Sequence, residues 1–165
     1  MPVPAIEIGV DWARDKIIGY LQNIRGQNTT ADLAFYAYRD METCDWMPFL
    51  KAVVERNPVS LAMAQSMSPD ALYELLQKID GGSIYDGKRL AQPDEVANYR
   101  RGDGLEKALL LANVIRQKSP NENIEIAVSG NSVVLKGAGE YRFDSSNGLE
   151  KQIRISSAGE IIVSG

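Results

Sequence analysis

Gly102-Asp103-Gly104-Leu105-Glu106-Lys107-Ala108-Leu109-Leu110-Leu111-Ala112-Asn113-Val114-Ile115-Arg116, followed after Ser119-Pro120-Asn121 by a run of short alternating segments, decides the fold. Asp103 is a strong helix-capping residue, because its carboxylate can accept amide hydrogens that the first turn leaves unpaired. Apolar residues then fill the helix, and Arg116 and Lys118 gather at its end, where the dipole favours cations. A central helix from about Leu105 to Gln117 follows. Beyond it, Ile124–Val128, Ser132–Leu135, Glu140–Phe143, Gln152–Ile155 and Glu160–Val163 each alternate or run apolar between Gly, Ser and Asn clusters, and read as strands. Helices segregated before strands mean α+β. Connections this short leave no room for helical crossovers, so the sheet is expected to be an antiparallel meander that the central helix covers. Ala158-Gly159 supplies a hairpin turn between the last two strands. The expected core is Leu109, Leu110, Val114, Ile126, Val128, Val134, Leu135, Phe143, Ile153 and Ile155.

Upstream the pattern is helical. Trp12, Ile17, Leu21 and Ile24 recur at helical spacing between Asp11 and Arg25, and Gly26 closes the segment. Thr30 is placed to cap a short helix through Tyr38, although its aromatics also suit a strand. Asp45 precedes Trp46-Met47-Pro48-Phe49, a helix with Pro in its first turn, and Asn57-Pro58 is expected to stop it. Ser68-Pro69-Asp70 starts another helix, which Gly81-Gly82 ends. Between Ser83 and Arg101 there is little periodicity beyond a short turn of helix at Gln92-Pro93-Asp94-Glu95. Irregular stretches beside a helix start are where binding residues gather. The whole is read as a single domain, residues 1–165, with a helical region over residues 1–118 and a β-meander over residues 119–165. Its two ends, Met1-Pro2-Val3-Pro4 and Val163-Ser164-Gly165, suit the cut edges of a larger protein as well as true termini.

Composition narrows the chemistry. The 165 residues include no histidine and one cysteine, Cys44. Imidazole-dependent mechanisms, His-ligated zinc and an internal disulfide therefore cannot be built from this chain. A net charge of −4 without a Lys/Arg cluster argues against nucleic acid. No apolar run approaches the roughly 18 residues of a membrane span, and Met1-Pro2-Val3-Pro4-Ala5-Ile6-Glu7 lacks the basic n-region and long apolar core of a signal peptide, so a cytoplasmic location is expected.

The segment from Lys88 to Asn147 resembles the core of the transglutaminase-like superfamily, a branch of the papain-like cysteine hydrolases and acyltransferases. The resemblance rests on Arg89-Leu90-Ala91-Gln92-Pro93-Asp94-Glu95-Val96, on Arg101 to Ala112, and on Tyr141-Arg142-Phe143-Asp144. In that family a Gly-Asp-Cys turn sets the nucleophile at a helix N-terminus, where its pKa falls, and His and Asp partners come from the strands that follow. Here Gly102-Asp103 matches, and Asp144 falls where the acidic partner would sit. Gly104 stands in place of the Cys, and the strand near Asn131-Ser132 offers no His. The resemblance thus implies a catalytically inactive domain without catalytic residues, cofactor or metal. It would serve as a binding or scaffolding module within or beside a larger bacterial-type enzyme. A protein partner or neighbouring domain is the expected partner, and a peptide or glycan the expected small ligand. The family geometry puts Tyr99, Arg101 and Asp103 on one wall of a vestigial cleft and Asn131, Ser132 and Asp144 on the other, with Gly104 at the helix entrance leaving amide donors open to a ligand.

Plainer readings stand beside these. Gly104 is also a small residue at a crowded helix start, Asp103 its cap, Asp144 an ordinary turn carboxylate and Cys44 a passive thiol. Tyr36, Tyr38, Trp46 and Phe49 suit either stacking on a ligand or the core. Asp94, Asp103 and Glu106 share a loop–helix junction but lack metal-ligand spacing. The enzymatic alternative is a carboxylate-based hydrolase of a glycan or peptide using Asp103, Glu106 and Asp144, which requires two of these carboxyls to face one pocket.

Overall fold

A computed structural model describes residues 5–38 and 40–165, with the side chains at 35–38 outside the description. Tyr36 and Tyr38 therefore fall outside the described side chains. The chain divides into two compact units, Met1–Asp40 and Met41–Gly165.

The first unit holds α1 (Arg14–Ile24) and α2 (Thr29–Tyr38). α1 starts later than its periodicity suggests because the Trp12 amide closes a turn onto the Gly9 carbonyl at 3.0 Å. The start of α2 is capped by Asn28, whose Oδ1 accepts the Ala31 amide at 3.1 Å, and not by the expected Thr30. Arg25 and Asp32 tie the two helices together at 2.8 Å.

The second unit is mixed α and β. α3 (Trp46–Glu55), α4 (Pro58–Met63), α5 (Pro69–Lys78) and α6 (Pro93–Tyr99) surround α7 (Gly104–Lys118), and β1 (Ile124–Ser129), β2 (Ser132–Lys136), β3 (Glu140–Asp144), β4 (Lys151–Ile155) and β5 (Ile161–Ser164) follow. Asp45 and Ser68 cap α3 and α5 as their sequence implies. Asn57-Pro58 ends α3 but also begins α4, a helix that the sequence pattern does not signal. Pro needs no amide partner at a first turn, and the Asp94 carboxylate takes the Val59 and Ser60 amides at 3.0 and 2.7 Å. A carboxylate 34 residues downstream in the chain, invisible to local pattern, thus makes the cap.

α7 is the axis of the core. Every residue from Gly104 to Ile115 is buried, because α3, α4, α5 and α6 pack on it as well as β1, β2 and β3. The inner face of the sheet is set by period-two alternation: Ile126 pairs with Leu135 and Ile153, and Val133 with Phe143. Val134 belongs to the other face. It pairs with Ala127 and Arg142 and is half-buried, so of the ten expected core residues it alone stands outside. In the run Val133-Val134-Leu135, alternation admits only two to the core.

All strand pairs are antiparallel, but the order β3-β2-β1-β4-β5 is not a meander. The first four strands follow Greek-key order, 4-1-2-3 in space, with β5 joined by the expected hairpin at Gly159, whose φ is +86°. At the β3 edge the Arg142 carbonyl is already taken by α5. The Tyr73 hydroxyl and the Gln77 amide both donate to the Arg142 carbonyl, at 3.0 and 2.9 Å. The link from Ser145 to Glu150 instead runs back across the sheet end, past the start of α7.

Candidate functional site

The start of α7 is built on two buried carboxylates. Asp103 is 2% exposed and Glu106 fully buried. They form a reciprocal capping box, in which Asp103 accepts first-turn amides and the Asp103 amide donates to Glu106 Oε2 at 2.8 Å. Each has capacity to spare and spends it on a different loop. Glu106 Oε1 accepts the Ser83 hydroxyl at 2.6 Å and the Ala91 amide at 2.8 Å, which fastens the segment 83–91. Asp103 accepts the Ser145 hydroxyl at 2.6 Å, the Ser146 amide at 2.7 Å and the Asn147 amide nitrogen at 3.2 Å, which fastens the returning link after β3. Burial pushes the Glu106 carboxyl above the usual carboxylate range despite these donors. Burial likewise lowers the pKa of the neighbouring Lys107, whose ammonium donates to the Ile79 carbonyl at 3.1 Å.

Between the two fastened loops lies an open cleft of about 350 Å³. Ser83, Tyr85, Asp86, Gly87, Lys88 and Arg89 line one side, and Asp103, Ser146 and Asn147 the other. Arg89 stacks over the Tyr85 ring, 4.1 Å from its centre. The Tyr85 hydroxyl is anchored to Glu95, and Lys88 reaches Glu42 at 2.6 Å. Gly87 takes φ +66°, the left-handed conformation that lets the loop turn back between Asp86 and Lys88.

Of the residues expected to form a vestigial cleft, Asp103 lines this one. Gly104 lies beneath it and is sealed: a Cβ there would overlap the Asp144 carbonyl oxygen and stand 3.0 Å from Phe143 Cβ. Of the amides expected to be open at the helix start, those of Leu105 and Glu106 are taken by the Asp103 side chain. Tyr99 projects from the end of α6, 65% exposed, and is not among the cleft residues. Arg101 turns to the loop after α5, donating to the Gly82 carbonyl at 2.9 Å with Asp80 at 3.9 Å. Asn131 and Ser132 sit at the β1–β2 turn, where the Asn131 carbonyl accepts the Ser145 amide and Ser132 pairs with Asp144. Asp144 contributes its backbone to the seal and leaves its side chain exposed.

The three carboxylates of the hydrolase alternative do not meet in the cleft. Glu106 is enclosed among its donors, Asp144 points to solvent, and Asp103 alone borders the space. Asp94 is the α4 cap, and Trp46 and Phe49 are core. Among the described residues no group of three or more Cys, Asp or Glu is gathered as a cation site, and no helix is long and apolar enough to cross a membrane. The cleft residues outside the quoted motifs are Ser83, Tyr85, Asp86, Gly87, Lys88, Ser146 and Asn147. The signals for them were the aperiodic stretch after Gly81-Gly82 and the Ser-Ser-Asn-Gly turn after Asp144. No family model, curated protein or solved structure matches the chain.

Proposed function

We propose that this chain is a catalytically inactive transglutaminase-like domain that acts as a binding module, holding a segment of a partner protein or neighbouring domain in the cleft between residues 83–89 and 145–147. The observation that carries the reading is the sealed turn at Gly104. The position that the resemblance assigns to a nucleophile admits no side chain at all, because the β3 backbone closes on it. A thiol there would have neither room nor an imidazole to activate it, since the chain has no histidine. What is left beside the sealed turn is a cleft whose walls are pinned by buried hydrogen bonds and lined with hydroxyl, amide, guanidinium and ammonium groups together with the carboxylates of Asp86 and Asp103. Such a mixture of donors and acceptors suits the carbonyls and amides of an extended peptide.

Two measurements test this. Incubation with a glutamine-containing peptide and a primary amine, followed by mass spectrometry of the intact protein, is expected to show no acyl adduct; an adduct on Cys44 or elsewhere overturns the inactive assignment. Titration of the isotope-labelled chain with a mixed decapeptide library is expected to shift amide resonances of 83–89 and 145–147. Saturating peptide without shifts there overturns the binding role. Ser146→Arg, which fills the cleft from an exposed position, is expected to abolish the shifts while the fold persists.

A further inference from the structure

The two edges of the sheet are treated very differently. Along β3 the outward residues Glu140, Arg142 and Asp144 are charged, and side chains of α5 occupy the Arg142 carbonyl. These are the devices that keep a strand edge from pairing with another chain. β5 has neither. Its sequence Ile161-Ile162-Val163-Ser164 carries no charge, among the described residues it pairs only with β4, and Ile162 is 53% exposed on the outer face.

Backbone polarity can be followed along the hairpin. The Ser156 amide donates to the Glu160 carbonyl at 2.9 Å, and pairs in an antiparallel ladder alternate between bonded and non-bonded. Given the register Ile155↔Ile161, Arg154↔Ile162 and Ile153↔Val163, the Ile162 groups face β4, while the amides and carbonyls of Ile161 and Val163 face outward. The side chains of Ile161 and Val163 lie on the inner face with Ile153 and Ile155. Beside them, along α3, is a groove of about 390 Å³ lined by Met47, Pro48, Val54 and Ile161, with Lys51, Glu55 and Arg116 on its rim. Of the β5 residues Ile161 lines this groove, so a strand added to β5 would set the side chain opposite Ile161 beside it.

We propose that a second copy of this chain supplies that strand, β5 pairing antiparallel with β5 of the partner about a two-fold axis at Ile162. Symmetry selects this occupant. The outward groups of Ile161 and Val163 are two residues apart, so Ile161 of one copy meets Val163 of the other, and the reciprocal pair is generated automatically, giving four hydrogen bonds. Ile162 then faces its own counterpart as a non-bonded pair, the closer of the two spacings. A rim carrying both signs, Lys51 and Arg116 with Glu55, is complementary to its own rotated image, which a rim of one sign would not be. The two sheets become one of ten strands, and the apolar groove on each side is covered.

Sedimentation of the full chain over a concentration series tests the proposal. A concentration-dependent dimer is expected, and Ile162→Lys, which sets two ammonium groups face to face, is expected to weaken it at least about tenfold. Val59→Lys, an equally conspicuous exposed aliphatic on α4, is expected to leave it unchanged. Ile162→Cys in a Cys44→Ser background is expected to form an intermolecular disulfide under mild oxidation. Circular dichroism checks that the variants fold, and the cross-link decides the question if Ile162→Lys does not. A monomer at about 1 mM, a dimer indifferent to Ile162→Lys, or a dimer that fails to cross-link through residue 162 would each overturn it.

Discussion

Gly104→Ala isolates the sealed turn with a single methyl group. By helix propensity alone the change is favourable, because Ala in a helix is better than Gly by about 0.5–1 kcal/mol. The structure predicts the opposite sign. The new Cβ would lie 2.6 Å from the Asp144 carbonyl carbon and 3.0 Å from Phe143 Cβ. The obstacle is backbone, so no side-chain rotation relieves it, and the end of β3 must move outward by about 1 Å to restore ordinary contact distances. That overpacking costs about 1–3 kcal/mol. Because Ser145 and Ser146 follow directly, their hydrogen bonds to the buried Asp103 carboxylate are stretched as well, adding about 1–3 kcal/mol. After the propensity gain is subtracted, the net loss is about 1–5 kcal/mol. For a chain of this size that lowers the melting temperature by about 2–20 °C. Urea and thermal denaturation followed by circular dichroism measure it, with Gly81→Ala, which meets no atom within 4 Å, as the matched control. A Gly104→Ala protein as stable as the parent, or more stable, would refute the sealed turn. It would also reopen the position to a side chain, and with it the premise that no nucleophile fits there.

Four further outcomes are expected. Asp103→Ala removes a helix cap and strands the donors of the 145–147 link, a loss of about 3–5 kcal/mol by denaturant titration, with faster amide exchange at Ser146 than in the parent. Leu110→Ala, at the fully buried centre of α7, is expected to cost about 2–5 kcal/mol by the same titration. The Tyr141 hydroxyl donates to Asp70 at 2.7 Å, and burial first, then that bond, push its pKa from 10.0 to about 12. The folded chain therefore holds this proton where the unfolded chain has released it, so stability falls as pH rises from about 10 to about 12, and Tyr141→Phe should flatten that stretch of a stability–pH curve. Arg100 ends α6 in the left-handed region at φ +52°, so Arg100→Gly should raise stability by about 0.5–1 kcal/mol, and no change in melting temperature would count against the strain.

What the sequence determined by itself is what depends on neighbours along the chain. Capping chemistry at Asp45, Ser68 and Asp103 located three helices, because a short side chain reaches amides only two or three residues away. Short alternating or apolar runs between Gly, Ser and Asn clusters located the five strands, and the absence of histidine excluded imidazole chemistry without reference to shape. The tertiary structure decided what depends on residues far apart in sequence and close in space. α4 owes its cap to Asp94, the sheet takes Greek-key order as the link after β3 returns past Asp103 to set β4 beside β1, and Val134 leaves the core because its strand neighbours fix which face it takes. The same holds for the candidate site. Gly, Asp and Glu at 102–106 were legible as a helix start, but a carboxylate does not announce which distant donors will claim it. Asp103 and Glu106, by binding Ser145 to Asn147 on one side and Ser83 and Ala91 on the other, set the cleft between two loops that share no local motif.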